Sequence, residues 1–160
     1  MSLNHLQATP TAIWVFAQKI NQDITTNINN LSHTEVPIDG DMITNYPSFV
    51  FNNNGIQLAG PEAYIKITSN IHIVSTNNNV NLTIRLHSSV NGLFGPIAAH
   101  GHIAGGSGNG ESSYAIPGFW KFMAPNEIIT VVSLREAKQG SVVLAVPGTS
   151  YLLLEGLRYV

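Results

Sequence analysis

The chain has 160 residues, 44% of them hydrophobic and only 10% charged, with a formal net charge of −2 and no cysteine. That length suits one domain with a sizeable core, or one domain plus an arm. The lack of a basic excess argues against a nucleic-acid partner, the lack of cysteine excludes disulfides and thiolate metal sites, and no apolar run reaches the roughly 20 residues of a membrane-spanning helix.

With so few charges, the surface must be built from Asn, Thr, Ser and Gly. The start, Met1-Ser2-Leu3-Asn4-His5, has neither the basic nor the apolar region of a secretory signal. Two glycosylation-type triplets, at Asn30 and Asn81, read as chance in an Asn-rich chain.

Residues 1–9 form an arm with little pattern. Thr9 is a helix cap and Pro10 suits the first helical position. Ile13, Phe16, Ile20 and Ile24 then recur at spacings of three or four, continued by Ile28 and Leu31. That stripe predicts an N-terminal helix over 10–24, fraying where Thr25-Thr26-Asn27 begins. Its apolar face lies either on its own domain or in a bundle with helices of symmetry-related copies. Residues 32–48 read as a linker interrupted by Pro37, Gly40 and Pro47. Glu35, Asp39 and Asp41 lie there without the spacing of a calcium loop, so they are read as solvated turn acids. On this reading residues 1–46 are arm, helix and linker, and residues 47–160 are a β domain.

From residue 48 the pattern is β to the end. Short strands over 49–51 and 56–58 flank an Asn-Asn-Asn-Gly turn. Residues 64–87 alternate strictly. Ile65, Ile67, Ile71 and Ile73 share one parity, and Val80, Leu82, Ile84 and Leu86 share one face of a second arm. With Thr76-Asn77-Asn78-Asn79 as the turn, this predicts a long antiparallel hairpin with one dry face. Further strands follow near 97–104, 112–119, 128–135, 142–146 and 151–160. About nine strands at short spacing predict an all-β antiparallel jelly roll or β-sandwich. Residues 128–132 and 151–154 are apolar on both parities, and the surplus face is most simply hidden between subunits.

The order of strands resembles the C1q/TNF-like jelly roll. The likeness is carried by residues 64–67, the paired arms at 71–86, Met123-Ala124-Pro125-Asn126-Glu127-Ile128-Ile129-Thr130-Val131, and Ser150-Tyr151-Leu152-Leu153-Leu154. In that family a Leu-x-x-Gly-Asp-x-Val segment precedes the penultimate hairpin, and an aromatic-rich last strand lies near a trimer axis. Here Asn126-Glu127 stands in place of Gly-Asp, and Tyr151 in place of the aromatic. The resemblance implies a homotrimer, with Ile129, Val131, Tyr151 and Leu153 at its interface, and the stripe of Ile13, Phe16, Ile20 and Ile24 is read as the face of an assembly helix. The chain also resembles small virion proteins of tailed bacteriophages, in which a helix or arm precedes a trimeric β domain.

Chemistry finds little purchase. His100 and His102 would lie on one strand face about 7 Å apart. They could begin a metal site completed by Glu111 or by a copy's histidine, but ordinary polar-face residues are the simpler account. His72 and His87 are placed to face each other across the hairpin. The Gly-rich 105–110 run lacks the Lys and Ser/Thr of a phosphate loop, and no Gly-x-Ser-x-Gly occurs. Glu111 with Asp39 or Asp41 has no spacing that calls for a glycosidase pair. The expectation is a non-enzyme without a cofactor. It is a homotrimeric capsid decoration (cement) protein of a virion, bound to itself and to the major capsid protein or another virion protein, with no membrane partner. The alternative is a receptor-binding fibre tip that grips a host cell-surface glycan through Asn52–Asn54, Asn77–Asn79, or Tyr114 with Trp120. A secreted lectin of the C1q type is disfavoured by the missing signal.

Overall fold

The computed structural model describes residues 11–28, 32–75, 80–103, 110–137 and 142–159. Twelve strands are found among them: β1 (Ala12–Ile20), β2 (Thr34–Glu35), β3 (Met42–Thr44), β4 (Phe49–Asn52), β5 (Gly55–Leu58), β6 (Ala63–Ser75), β7 (Val80–Ser88), β8 (Gly92–Ile103), β9 (Gly110–Met123), β10 (Ile128–Ala137), β11 (Val142–Leu144) and β12 (Tyr151–Tyr159). They form two antiparallel sheets. One runs β11-β6-β12-β1-β3, with β9 on the other edge of β6. The second runs β4-β5-β10-β7-β8, with β2 beside β10.

The alternation read from the sequence marks the inner faces correctly. Ile65, Ile67, Ile71 and Ile73 of β6 are buried, and so are Leu82, Ile84 and Leu86 of β7. They meet Phe49, Ile56, Leu58, Ile116, Ile129, Val131, Leu152 and Leu154 in one core between the sheets. Each such side chain contributes about 1.5–3 kcal/mol when removed from water.

The expected pairing of β6 with β7 is corrected. These strands lie in opposite sheets. β6 pairs β9 along one edge and β12 and β11 along the other, so neither edge is open to β7. β7 instead lies between β8 and β10. Alternation fixes which face is dry but not which strand is the neighbour. The expected turn at 76–79 lies outside the described residues.

The N-terminal helix is also corrected. No helix is found among the described residues, and Ile13, Phe16 and Ile20 belong to β1. That strand pairs β12 along its whole length, from Ala12 opposite Tyr159 to Ile20 opposite Tyr151. Its inward residues are Val15, Ala17 and Lys19, with Phe16 and Ile20 on the outer face. A lysine at an inward position broke the period of two in the sequence, and the isoleucines then imitated a period of 3.6. Ile24 follows β1 in an irregular, exposed stretch. Ile28, beyond it, is buried and its amide donates to the Val142 carbonyl at 2.9 Å. A division near residue 47 therefore does not separate arm from domain, because β1 and β3 are members of the first sheet.

The turn between β9 and β10 shows why Asn-Glu suffices where the resemblance has Gly-Asp. Asn126 has φ 62°, a left-handed backbone that Asn tolerates better than other non-glycine residues. Glu127 then turns fully inward.

Candidate functional site

The outer face of the first sheet carries a cluster of uncovered apolar side chains. Register sets its rows. Phe16 lies opposite Glu155, which lies opposite Lys66, which lies opposite Trp120. At one end of the sheet Trp14 lies opposite Leu157, and Tyr64 opposite Phe122. Trp14, Tyr64, Trp120, Phe122 and Leu157 are between 44% and 56% exposed, far more than large apolar groups in an interior. Tyr64 stacks on Trp120, its diagonal neighbour, at 5.2 Å between ring centres and 13° between planes. Phe122, directly opposite Tyr64 on the same strand as Trp120, lies 6.2 Å from it between ring centres. Lys66 and Glu155 approach to 3.8 Å within this apolar field.

A groove of about 450 Å³ opens beside the stack, lined among others by Tyr46, Glu62, Tyr64, Phe122 and Arg158. The Arg158 guanidinium sits over the Tyr46 ring at 5.1 Å. The opposite end of the same face is polar. There His72 and Glu111 approach to 3.6 Å, and Ile20 lies opposite Tyr151, which lies opposite Asn70.

The four residues expected at a subunit interface divide into two pairs. Ile129 and Val131 are fully buried in the core of a single chain. Their outward neighbours Thr130 and Val132 are also buried, so β10 is covered on both faces by its own chain. Tyr151 and Leu153 lie half-exposed on the outer face of the first sheet, in the rows of Ile20 and Gln18. The sequence reading missed Trp14, Tyr64, Phe122 and Leu157. Their signal was parity: Tyr64 shares the wet parity of β6 with Lys66 and Thr68, where an exposed aromatic is out of place. The sequence pairs Trp120 with Tyr114 as aromatics of a glycan site. Trp120 is part of β9, but Tyr114 points inward.

Two ionic groups sit inside. Glu127 accepts from Lys121 Nζ at 2.5 Å, from the Ser88 hydroxyl, and from the Ala124 amide at 2.8 Å. Burial pushes its carboxyl up, but the bonds from Lys121, Ser88 and Ala124 and the Lys121 charge outweigh this and hold it below the ordinary range. Ser88 Oγ also accepts the Val90 and Asn91 amides at 3.1 and 3.0 Å. The cluster thus ties the β7–β8 turn to the β9–β10 turn. Lys19 is fully buried, donates to the Asn53 carbonyl, and lies 3.6 Å below the Phe51 ring centre. Burial lowers its ammonium to about 8, opposed by the charge of Asp39.

Backbone register sets His100 opposite Thr83 and His102 opposite Asn81. Among the described residues no three His, Asp or Glu side chains gather closely enough to hold a metal ion. His72 and His87 lie in different sheets.

No family model matches the sequence, and no curated protein is similar to it. Solved structures are similar in fold. Murine APRIL superposes with a TM-score of 0.58 over 90% of this chain and 99% of its own, at 10% identity. The Eiger TNF from S. frugiperda does so with a TM-score of 0.55 over 91% and 93%, at 11% identity. The fold is a TNF-like jelly roll. At such identities the likeness carries the arrangement of strands and nothing of receptor or partner.

Proposed function

We propose that this TNF-like jelly roll is a structural, non-enzymatic module that assembles as a homotrimer and decorates the surface of a virion. One observation carries the reading: the aromatic face of the first sheet, with Trp14, Tyr64, Trp120, Phe122 and Leu157 together in water. A contiguous exposed apolar face of this kind marks an interaction site. The partner that suits it is a second copy of the chain. Lys66 and Glu155 stand side by side among the aromatics and offer both signs of charge to a neighbouring copy. Tyr151, Leu153, Phe16 and Ile20 continue the same face, in keeping with the trimer that the family resemblance implies. The low charge of 10% supports a role that buries surface in assemblies.

The virion role rests on the resemblance to small phage proteins and is tested by stoichiometry. Quantitative mass spectrometry of purified particles should find this chain in hundreds of copies, in proportion to the major capsid protein. Its absence from particles would remove the decoration role. A few copies at the tail would favour the second reading, a receptor-binding tip, which draws on one specific feature. The groove beside Tyr64 combines an aromatic wall with Glu62 and Arg158, a combination suited to a sugar ring. A glycan array with no binder would count against it.

A further inference from the structure

The outer face of the second sheet carries an unexplained polar pair. On β10, Thr130 lies opposite His87 of β7, and two residues on Val132 lies opposite Arg85. Thr130, His87 and Arg85 therefore share one face of two neighbouring strands, with Thr130 and Arg85 as diagonal neighbours. On the far side of β10, Thr130 faces Gly55, where an added Cβ would stand 2.7 Å from the Thr130 methyl. The methyl fills the notch over the glycine. Thr130 is only 5% exposed. Its Oγ1 and the Nε of Arg85 are both shut off from solvent, and neither has a hydrogen-bond partner among the described residues.

A buried donor without a partner costs more than an ordinary hydrogen bond returns, and native proteins keep few of them. Here two lie on adjacent strands, and one belongs to a cation. Among the described residues no carboxylate comes within ion-pair distance of Arg85. Glu35, across Val132 from Arg85, accepts instead from Asn54 Nδ2 at 3.1 Å. Arg85, Thr130 and His87 thus share one face of two neighbouring strands, and the Arg85 Nε and the Thr130 hydroxyl are left without a hydrogen-bond partner among the described residues.

We propose that Arg85, Thr130 and His87 form a binding site for a small oxyanion: a phosphate, a sulfate, or the carboxylate of an acidic sugar. The planar Arg fork suits two oxygens of such a group, and the Thr130 hydroxyl supplies a donor from the side. The site lies on the sheet opposite to the aromatic face and stands whether or not the chain forms a trimer.

The test is a titration of the folded full chain, labelled with ¹⁵N at arginine, with inorganic phosphate, sulfate and glucuronate at matched ionic strength. The Arg85 Nε–H resonance should shift saturably with at least one of them, and the order of affinity names the group. Arg85→Lys keeps the charge but loses Nε and the fork, and should weaken binding at least tenfold. Thr130→Val keeps shape and fold and should weaken it several-fold. A shift linear in all three salts overturns the proposal, as do variants that titrate like the wild type. A crystal structure grown in phosphate with only water between Arg85 Nε and Thr130 Oγ1 would overturn it too.

Discussion

Lys19 offers a sharp test of how the sandwich is packed. It sits at an inward position of β1, closed over by Phe51, with the Asn53 carbonyl as its acceptor. Its folded-state pKa of about 8 lies below the ordinary 10.5. The unfolded chain therefore binds the extra proton between those values, and stability rises with pH across that window. Below pH 8 the ammonium is charged in both states and the folded state bears the full penalty. The lowering from 10.5 to about 8 corresponds to about 3 kcal/mol at pH 7, falling below about 1 kcal/mol near pH 10. Lys19→Met keeps the length and removes the charge. The Asn53 carbonyl belongs to an exposed turn residue and can turn to water. After about 1 kcal/mol is subtracted for the lost bond, the variant should gain about 2 kcal/mol at pH 7, or about 4–8 °C in Tm. Thermal unfolding of both proteins at pH 7 and pH 10, at one protein concentration, checks this. The gain should shrink by more than half at the higher pH. A variant less stable than wild type at pH 7, or a difference that ignores pH, would refute the buried, penalised lysine.

Glu127→Gln can accept from the Ala124 amide with its one oxygen, but its NH2 then faces Ser88 and Lys121 and leaves the Lys121 charge buried and unpaired, so it should cost about 3 kcal/mol in denaturant unfolding. A loss under about 1 kcal/mol would mean that the pair is solvated. Because the Glu127 carboxyl is held below its ordinary range, its contribution is present at neutral pH and is lost as pH falls through the acid range. Wild-type stability should therefore drop more steeply on acidification than that of the glutamine variant. Tyr64→Asp with Trp120→Asp places charge on the outer face without entering the core, so the variant should stay folded by circular dichroism and lose self-association. An unfolded variant would mean that the stack supports the monomer.

Much of the sandwich was legible because alternation is a local signal. Ile65 to Ile73 and Leu82 to Leu86 declare their inner faces residue by residue, and the nine strands expected from residue 48 onward are present among the described residues. Pairing is not local. β6 and β7 follow one another in sequence yet belong to different sheets, because β6 spends both edges on β9, β11 and β12. β1 was hidden by a single inward lysine, whose partners Asn53 and Phe51 lie more than thirty residues away and give no sign in the sequence around it. The candidate face was half legible. Tyr151 and Leu153 were read as outward surplus on β12, whereas Tyr64, Trp120 and Phe122 become neighbours only when β9 docks along β6. Ile129 and Val131 were misread as interface because apolar residues on both parities of β10 looked like a surplus. The chain covers that outer face itself, with Thr130 and Val132 both buried.

Self-assembly through the aromatic face is the central claim, and native mass tests it most directly. Light scattering on a sizing column at two protein concentrations should give the mass of three chains of 17.2 kDa, unchanged on dilution. A monodisperse species of one chain at both concentrations would contradict it.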